Sequence, residues 1–318
     1  MASITMRQQP RRGFSLKKAY THWRYMIGLD PASYLFRLVM LILFTLYFGL
    51  PVLWLFIAPT KTHKEMSDLP SLAIGNLHNI VDSFNRLANY NRGIMFTWAQ
   101  NSVLYVTVAL ALTLVITIPA GYLLANVNFR FRKALLWATL ILMLLPADAT
   151  VLPMYMELYL MKLINTPWAV ILPAGLAPFG VYLTYTYYKT VMPRDIVDAA
   201  KVDGCGDLHM FWWIGLPLAQ SVIAMLLFTQ FATLWNGFFN ALLFLERDQL
   251  KTLPVGIWVM AQQTGALNPN PTAYGKVLLL RPDLALISTM TVLPVIIIFL
   301  FSQRLIVRAA TAGAIQGE

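Results

Sequence analysis

Residues 189–219 read KTVMPRDIVDAAKVDGCGDLHMFWWIGLPLA, a polar interlude between two long apolar runs. Pro193 stops the helix that precedes it, because proline removes a backbone donor and clashes with the turn before it. Asp195 is a candidate N-cap for a short helix Ile196–Val202, whose Ile196, Val197, Ala199, Ala200 and Val202 give it an apolar side. Gly204 and Gly206 permit a sharp turn, and Asp207 can cap a second short helix running through His209 and Phe211. Two short helices at a turn make a compact knob, a shape suited to docking in a partner's groove.

The rest of the chain says what the knob projects from. Of 318 residues, 58% are hydrophobic and only 12% are charged, about half the charged share of a soluble domain. That composition excludes an ordinary soluble fold and points to a polytopic membrane protein. A nucleic-acid binder would set its basic residues among many more polar ones. One Cys excludes an internal disulfide and a multi-Cys metal site, and four scattered His show no metal-ligand spacing. Cys205 fits a small-residue turn between two glycines.

A helix needs about 20 apolar residues to cross the hydrocarbon core. Six runs meet this: Leu38–Ala58, Val103–Ala125, Ala134–Met156 interrupted by Asp148, Pro167–Tyr188, Leu216–Leu245 and Leu284–Gln303. The expected fold is therefore all-α, with six transmembrane helices in residues 38–305, a basic segment 1–37 before them and a tail 306–318 after them. The fifth run is long enough to tilt strongly or to continue past the membrane surface. Pro51, Pro119, Pro146, Pro153, Pro173 and Pro294 suggest kinks more than span ends.

Charge sets the expected orientation. Segment 1–37 holds Arg7, Arg11, Arg12, Lys17, Lys18, Arg24 and Arg37 against Asp30 alone, and the loop after the second run holds Arg130, Arg132 and Lys133 with no acid. The tail adds Arg304 and Arg308. The positive-inside rule places all of these, and both termini, in the cytoplasm. The segments 59–98 and 246–283, close to charge balance, then lie outside, the first as an Asn-rich loop with some helix of its own. Phe14, Leu16, Tyr20, Trp23 and Ile27 are mixed with charges, so the N-terminal segment is no cleavable signal; it is an interfacial amphipathic helix or a basic tail. The loop 189–217 is the exception on the cytoplasmic side: Lys189, Arg194 and Lys201 face Asp195, Asp198, Asp203 and Asp207, which makes it locally acidic.

Asp198-Ala199-Ala200, then Asp203-Gly204, nine residues, Ile214 and Leu216-Pro217 resemble the EAA motif of inner-membrane permease subunits of binding-protein-dependent ATP-binding-cassette importers. The family's usual Glu is Asp198 here, shorter by one methylene with the charge kept. Asn101-Ser102, Trp235-Asn236, Thr252-Leu253-Pro254 and the ending Gln303–Gly317 are similar to the carbohydrate-importer subfamily, on the maltose-transporter small-permease side. The tail has Ala309-Ala310 where that subfamily has Gly-Leu. The resemblance implies the type I importer permease fold in a bacterial inner membrane. It makes 189–217 a coupling loop seated on an ATPase and brings Gly313, Gln316 and Gly317 to the ATPase interface. It also implies the partners: a second homologous permease, an ATPase dimer that binds ATP and Mg, an extracytoplasmic solute-binding protein, and a sugar, oligosaccharide or glycoside as cargo.

This chain has no Gly-rich loop ending in Gly-Lys-Ser/Thr and no arrangement of nucleophile, base and orienting group, so neither a bound cofactor nor enzymatic activity is expected of it. Asp148 costs about 2.5–3.5 kcal/mol near mid-membrane, so it faces a polar cavity or a partner. It lines the translocation path and bonds sugar hydroxyls, or it sits near the outer surface or pairs with a partner's Arg. Trp235 and Asn236 likewise line a polyol path or pack and bond between helices. The competing class is an ion-coupled secondary transporter acting alone, for which Asp148 is the one supporting residue.

Overall fold

The computed structural model describes residues 31–264 and 278–314; the side chains of 31, 32, 147, 148 and 304–314, together with Gln316, Gly317 and the N-terminal segment before Pro31, lie outside the described residues. The chain divides into two units, Met1–Trp54 and Leu55–Glu318. The first carries most of helix α1 (Pro31–Ile57), which holds Pro51 and displays Leu35, Phe36, Leu41, Phe44, Tyr47 and Phe48 on its exposed surface.

In the second unit every described element is helical: α2 (His78–Asn89), α3 (Ile94–Asn126), α4 (Arg132–Leu144), α5 (Ala147–Leu160), α6 (Trp168–Gly175), α7 (Pro178–Val191), α8 (Arg194–Val202), α9 (Gln220–Trp235), α10 (Phe239–Phe244), α11 (Leu253–Gln263) and α12 (Arg281–Ala314), with one-turn pieces between them. Four stretches are long and apolar enough to cross a membrane: Ser33–Thr60, His78–Asn126, Trp168–Val191 and Arg281–Gln303. The count reaches six if each of two bent pairs is one span.

Those bent pairs, and smaller breaks, interrupt three of the six runs, the third run at Pro146, one of the prolines read as a kink. The third run, expected as Ala134–Met156, is α4 and α5 meeting at 112°; the helix breaks at Leu145 and Pro146, both extended, because a residue before proline is pushed out of the helical region. The fourth is α6 and α7, parted at Leu176 and Ala177. The fifth, expected as Leu216–Leu245, is not one continuous helix. The helical piece Asp207–Leu218 turns by 70° into α9, and Asn236 and Gly237 end α9 before α10 begins. Pro119, Pro153, Pro173 and Pro294 stay inside helices.

Helix α3 is the axis of the second unit, packing on α6, α7, α9 and α11. Small residues let it approach α7 closely. A Cβ added at Gly121 would stand 2.6 Å from Thr184 Cβ, and one at Gly180 would stand 3.0 Å from Thr117 Cγ2. The buried Thr113, Thr117 and Thr184 hydroxyls donate to the carbonyls of Ala109, Thr113 and Gly180 four residues back in their own helices, which removes them as orphan donors at this tight seam. The loop 59–98, expected on one side of the membrane, is an ordered cap. Buried Lys61 donates to the carbonyls of Pro70 and Ser71 at 2.7 and 3.0 Å, and Asn91, Arg92 and Gly93 all adopt positive φ to turn α2 into α3.

Candidate functional site: a fastened knob and a cavity at two helix breaks

The two ends of α3 carry different structures. At its C-terminal end stands the knob. Helix α8 starts on Arg194 with Pro193 at the N-cap position, so Asp195 is not the cap; proline already holds the φ that the entry needs, and Asp195 lies in the first turn, where a carboxylate suits the helix dipole. Asp207 likewise opens its helix rather than capping it, with Gly206 before it. The helix ends in a Schellman turn: Cys205 N–H donates to Ala200 O (2.9 Å) and Gly204 N–H to Lys201 O (3.0 Å). Gly204 carries φ +78°, the left-handed conformation such a turn requires, while Gly206 has φ −74° and needs no special freedom.

One side of the knob is buried and the other is free. Val197 and Ala200 enter a cluster with Tyr122, Tyr188, Met192, Met210 and Phe211. Asp195, Asp198, Ala199, Asp203, Gly204 and Pro217 are exposed, and Ile214 packs against the cluster. Among the described residues Asp195, Asp198 and Asp203 form no ion pair, and Asp207 approaches Lys201 only at 4.0 Å on the surface. Asp195 and Asp203 are thus presented outward without an ion pair, while Asp198 stands at a pocket that Arg132, Lys189, Arg194 and Lys201 also line.

The knob is tied to the bundle through its own carbonyls. Tyr122 Oη donates to Asp207 O (3.3 Å), Tyr188 Oη to Gly215 O (3.2 Å) and Tyr187 Oη to Leu218 O (3.0 Å). The Tyr122 ring meets Tyr188 edge-on at 5.4 Å and Phe211 at 5.1 Å. A force on the knob therefore reaches α3 and α7 through packed rings and hydrogen bonds. The loop motif alone did not show these tyrosines, which stand in the neighbouring apolar runs.

Where α6 parts from α7 and α9 from α10, a cavity of about 330 Å³ opens, lined by Phe179, Gln230, Thr233, Asn240 and apolar side chains. Its size falls within the usual range for a small-molecule pocket. Gln230 and Asn240 make no hydrogen bond among the described residues, so their amides are available at its wall. A smaller void of about 20 Å³ adjoins it, lined by Ser102, Tyr105, Trp235 and Thr252. The Thr252 hydroxyl is buried there without a partner, in space enough for one water. Trp235 is buried between α3 and α12, stacked on Phe231 at 5.5 Å with its indole N–H donating to Thr291 O (2.9 Å). Asn236 is exposed at the end of α9, donating to Ala232 O (2.8 Å). The Asp148 side chain is outside the described residues.

At the other end of α3, two sequence features lie together that are about 150 residues apart in the chain. Asn101 Nδ2 donates to the carbonyls of Gln249 (2.7 Å) and Lys251 (3.0 Å), and Ser102 Oγ accepts from Leu253 N–H at 2.7 Å. Trp98 Nε1 adds a bond to Asp248 O at 2.7 Å, and Gly256 sits so close to that ring that any side chain would collide with it. Beside them Arg86 of α2 grips the fully buried Asp283 of α12: Nε lies 3.0 Å from both carboxylate oxygens and Nη2 lies 2.8 Å from Oδ1.

An all-helical apolar bundle with broken helices, a cavity at two of the breaks and an acidic knob fastened to its axis fits a membrane permease. The chain belongs to the family of binding-protein-dependent transport system inner membrane components, whose family model matches residues 117–312. It is 32% identical over 226 residues to the arabinooligosaccharides transport system permease protein AraQ of Halalkalibacterium halodurans, covering 71% of this chain and 76% of that protein. Against AraQ of Bacillus subtilis the identity is 28% over 300 residues, 92% and 100% of the two chains. The diacetylchitobiose uptake system permease protein NgcG of Streptomyces coelicolor is 27% identical over 279 residues, 86% of each. A solved structure of a bacterial ABC transporter involved in the import of the acidic polysaccharide alginate shares the fold: TM-score 0.73 at 19% identity, over 87% of this chain and 98% of that one. The chain is thus an inner-membrane permease component, with ATP hydrolysis on a separate subunit, and the reading as a lone ion-coupled transporter is left without support.

Proposed function

We propose that this chain is one of two membrane subunits of an ATP-driven importer for an oligosaccharide or glycoside, spanning the membrane six times with both termini in the cytoplasm. The named cargoes of its relatives favour a sugar, and the basic residues of segment 1–37 and the 130–133 loop favour that orientation. A second homologous permease completes the path, an extracytoplasmic binding protein delivers the cargo to the capped end, and an ATPase dimer carrying ATP and Mg receives the knob. Asp195, Asp198, Ala199, Asp203 and Gly204 form the face toward the ATPase, with Ala200, Ile214 and Pro217 shaping its base. The tail residues Gly313, Gln316 and Gly317 reach the same subunit.

Transport follows as rigid-body switching. Closure of the ATPase dimer on ATP pulls the knob, Tyr122 and Tyr188 transmit the pull to α3 and α7, and the bundle opens outward; hydrolysis resets it. ATP drives this only as far as the ATPase binds the two knob positions differently. The cargo passes the cavity at the helix breaks, where Gln230 and Asn240 offer donors and acceptors to hydroxyls and Phe179 offers a ring face. Asp148 and the Trp235-Asn236 end of α9 belong to the same path.

The observation that carries this reading is the pair of unpartnered amides on a cavity walled by two helix breaks. Gln230→Leu/Asn240→Leu is expected to reduce cargo uptake about tenfold or more, one lost hydrogen bond per position, with ATPase co-purification unchanged. Uptake at the wild-type rate would remove the cavity from the path, and unchanged uptake by Asp148→Asn would remove that residue.

A further inference from the structure

Behind the acidic knob lies a basic pocket that the transport reading does not use. It measures about 390 Å³ and is walled by the end of α3, the end of α7, one face of α8 from Arg194 to Lys201, and Asn128 and Arg132 at the turn into α4. Arg132, Lys189, Arg194 and Lys201 line it, with Asp198 the single carboxylate among the lining residues. Arg132 is held in place by donating to the carbonyls of Leu124 (2.8 Å) and Ala125 (3.1 Å) and to Asn128 Oδ1 (2.7 Å). It thereby closes the last turn of α3 and brings no negative charge with it. Lys189 and Arg194 have no ion pair among the described residues. The lining holds four cations and one acid, with Lys201 also approached by Asp207 at 4.0 Å, and this excess of positive charge where two membrane-spanning helices end calls for an anion.

We propose that this pocket binds the phosphate of an anionic phospholipid headgroup. The position fits: the walls are the ends of spans, the level at which headgroups lie. The surroundings fit as well. Phe131, Leu135 and Trp137 are exposed beside Arg132, at and just after the start of α4, and offer an apolar surface for acyl chains next to the charged pocket. The ATPase is the less suitable occupant by charge, since the face proposed to receive it is acidic and asks for a basic complement. A lipid phosphate here would neutralise the root of the knob and fix α8 against α3 and α7, making coupling sensitive to the lipid around it. This inference is independent of which cargo the permease passes.

The test uses the whole purified assembly, solubilised from membranes containing phosphatidylglycerol and phosphatidylethanolamine, with retained lipid read by native mass spectrometry. The wild type is expected to retain phosphatidylglycerol preferentially, and Lys189→Gln/Arg194→Gln to lose it by roughly 30-fold, about fivefold for each charge. Lys189→Arg is expected to retain it. Millimolar inorganic phosphate is expected not to displace the lipid; displacement would assign the pocket to a soluble phosphate and overturn the lipid reading. Unchanged retention in the double variant would overturn the proposal, and would reassign the pocket to the protein partner if ATPase binding fell instead. Should the double variant fail to assemble, the wild type decides: phosphatidylglycerol must be lost near 1 M salt, where screening shrinks to about 3 Å, and retention independent of salt overturns the proposal.

Discussion

Replacing Arg86 by Leu is expected to release helix α2 from the bundle. Asp283 is completely buried and accepts three contacts from the Arg86 guanidinium and one from Leu280 N–H at 2.8 Å. The substitution removes three of those four and leaves a buried carboxylate with a single donor. Breaking a buried pair from one side costs about 3–5 kcal/mol, or roughly two to four orders of magnitude in the ratio of docked to undocked α2. Hydrogen exchange on the reconstituted assembly reads this directly: the α2 amides, together with those at the start of α12, should lose protection by that factor while the middle of α3 keeps its own. The double variant Arg86→Leu/Asp283→Leu should recover most of the loss, because no buried charge remains, and should stay about 1 kcal/mol short for the missing contact to Leu280 N–H. A single variant within about 0.5 kcal/mol of wild type, or a double variant no better than the single, refutes the reasoning.

Gly204→Ala should cost about 1 kcal/mol, because a Cβ there meets nothing within 4 Å and only the left-handed backbone is penalised. Gly204→Pro cannot adopt φ +78° and loses the bond to Lys201 O, so the subunit should insert yet fail to couple ATPase activity to transport; normal cargo-stimulated ATPase would contradict this. Gly121→Ala forces α3 away from Thr184 and should lower the thermal stability of the assembly by about 1–3 kcal/mol in unfolding measurements. Trp235→Phe should cost about 1 kcal/mol through the lost bond to the Thr291 carbonyl. An accompanying change in the KM for uptake would place the ring in contact with cargo.

The knob was legible because its signals are local. Pro193, the Ala199-Ala200 pair and the Asp203-Gly204 turn lie within a dozen residues, and each acts through its own backbone. The apolar runs were legible for the same reason, since hydropathy sums over neighbours. The breaks at Leu176-Ala177 and Asn236-Gly237 were not, because an apolar run stays apolar whether or not its backbone bends; only the walls of a cavity show why a bend is tolerated there. The latch of Arg86 on Asp283 and the bonds from Asn101 and Ser102 to the 249–253 segment join residues about 150 to 200 positions apart, and nothing local to either partner announces the other. Tyr122 and Tyr188 read as ordinary apolar-run aromatics until their hydroxyls are seen on the knob's carbonyls.

The central claim is that this chain moves its cargo only as part of an ATP-driven assembly. Its most direct test is uptake of the binding protein's labelled ligand into proteoliposomes containing both permeases and the ATPase. The account predicts uptake that requires ATP, the loaded binding protein and this chain together, and that collapses when Asp195, Asp198 and Asp203 are all changed to Lys. Uptake by this chain alone, without ATP and abolished by a proton or sodium ionophore, would contradict it.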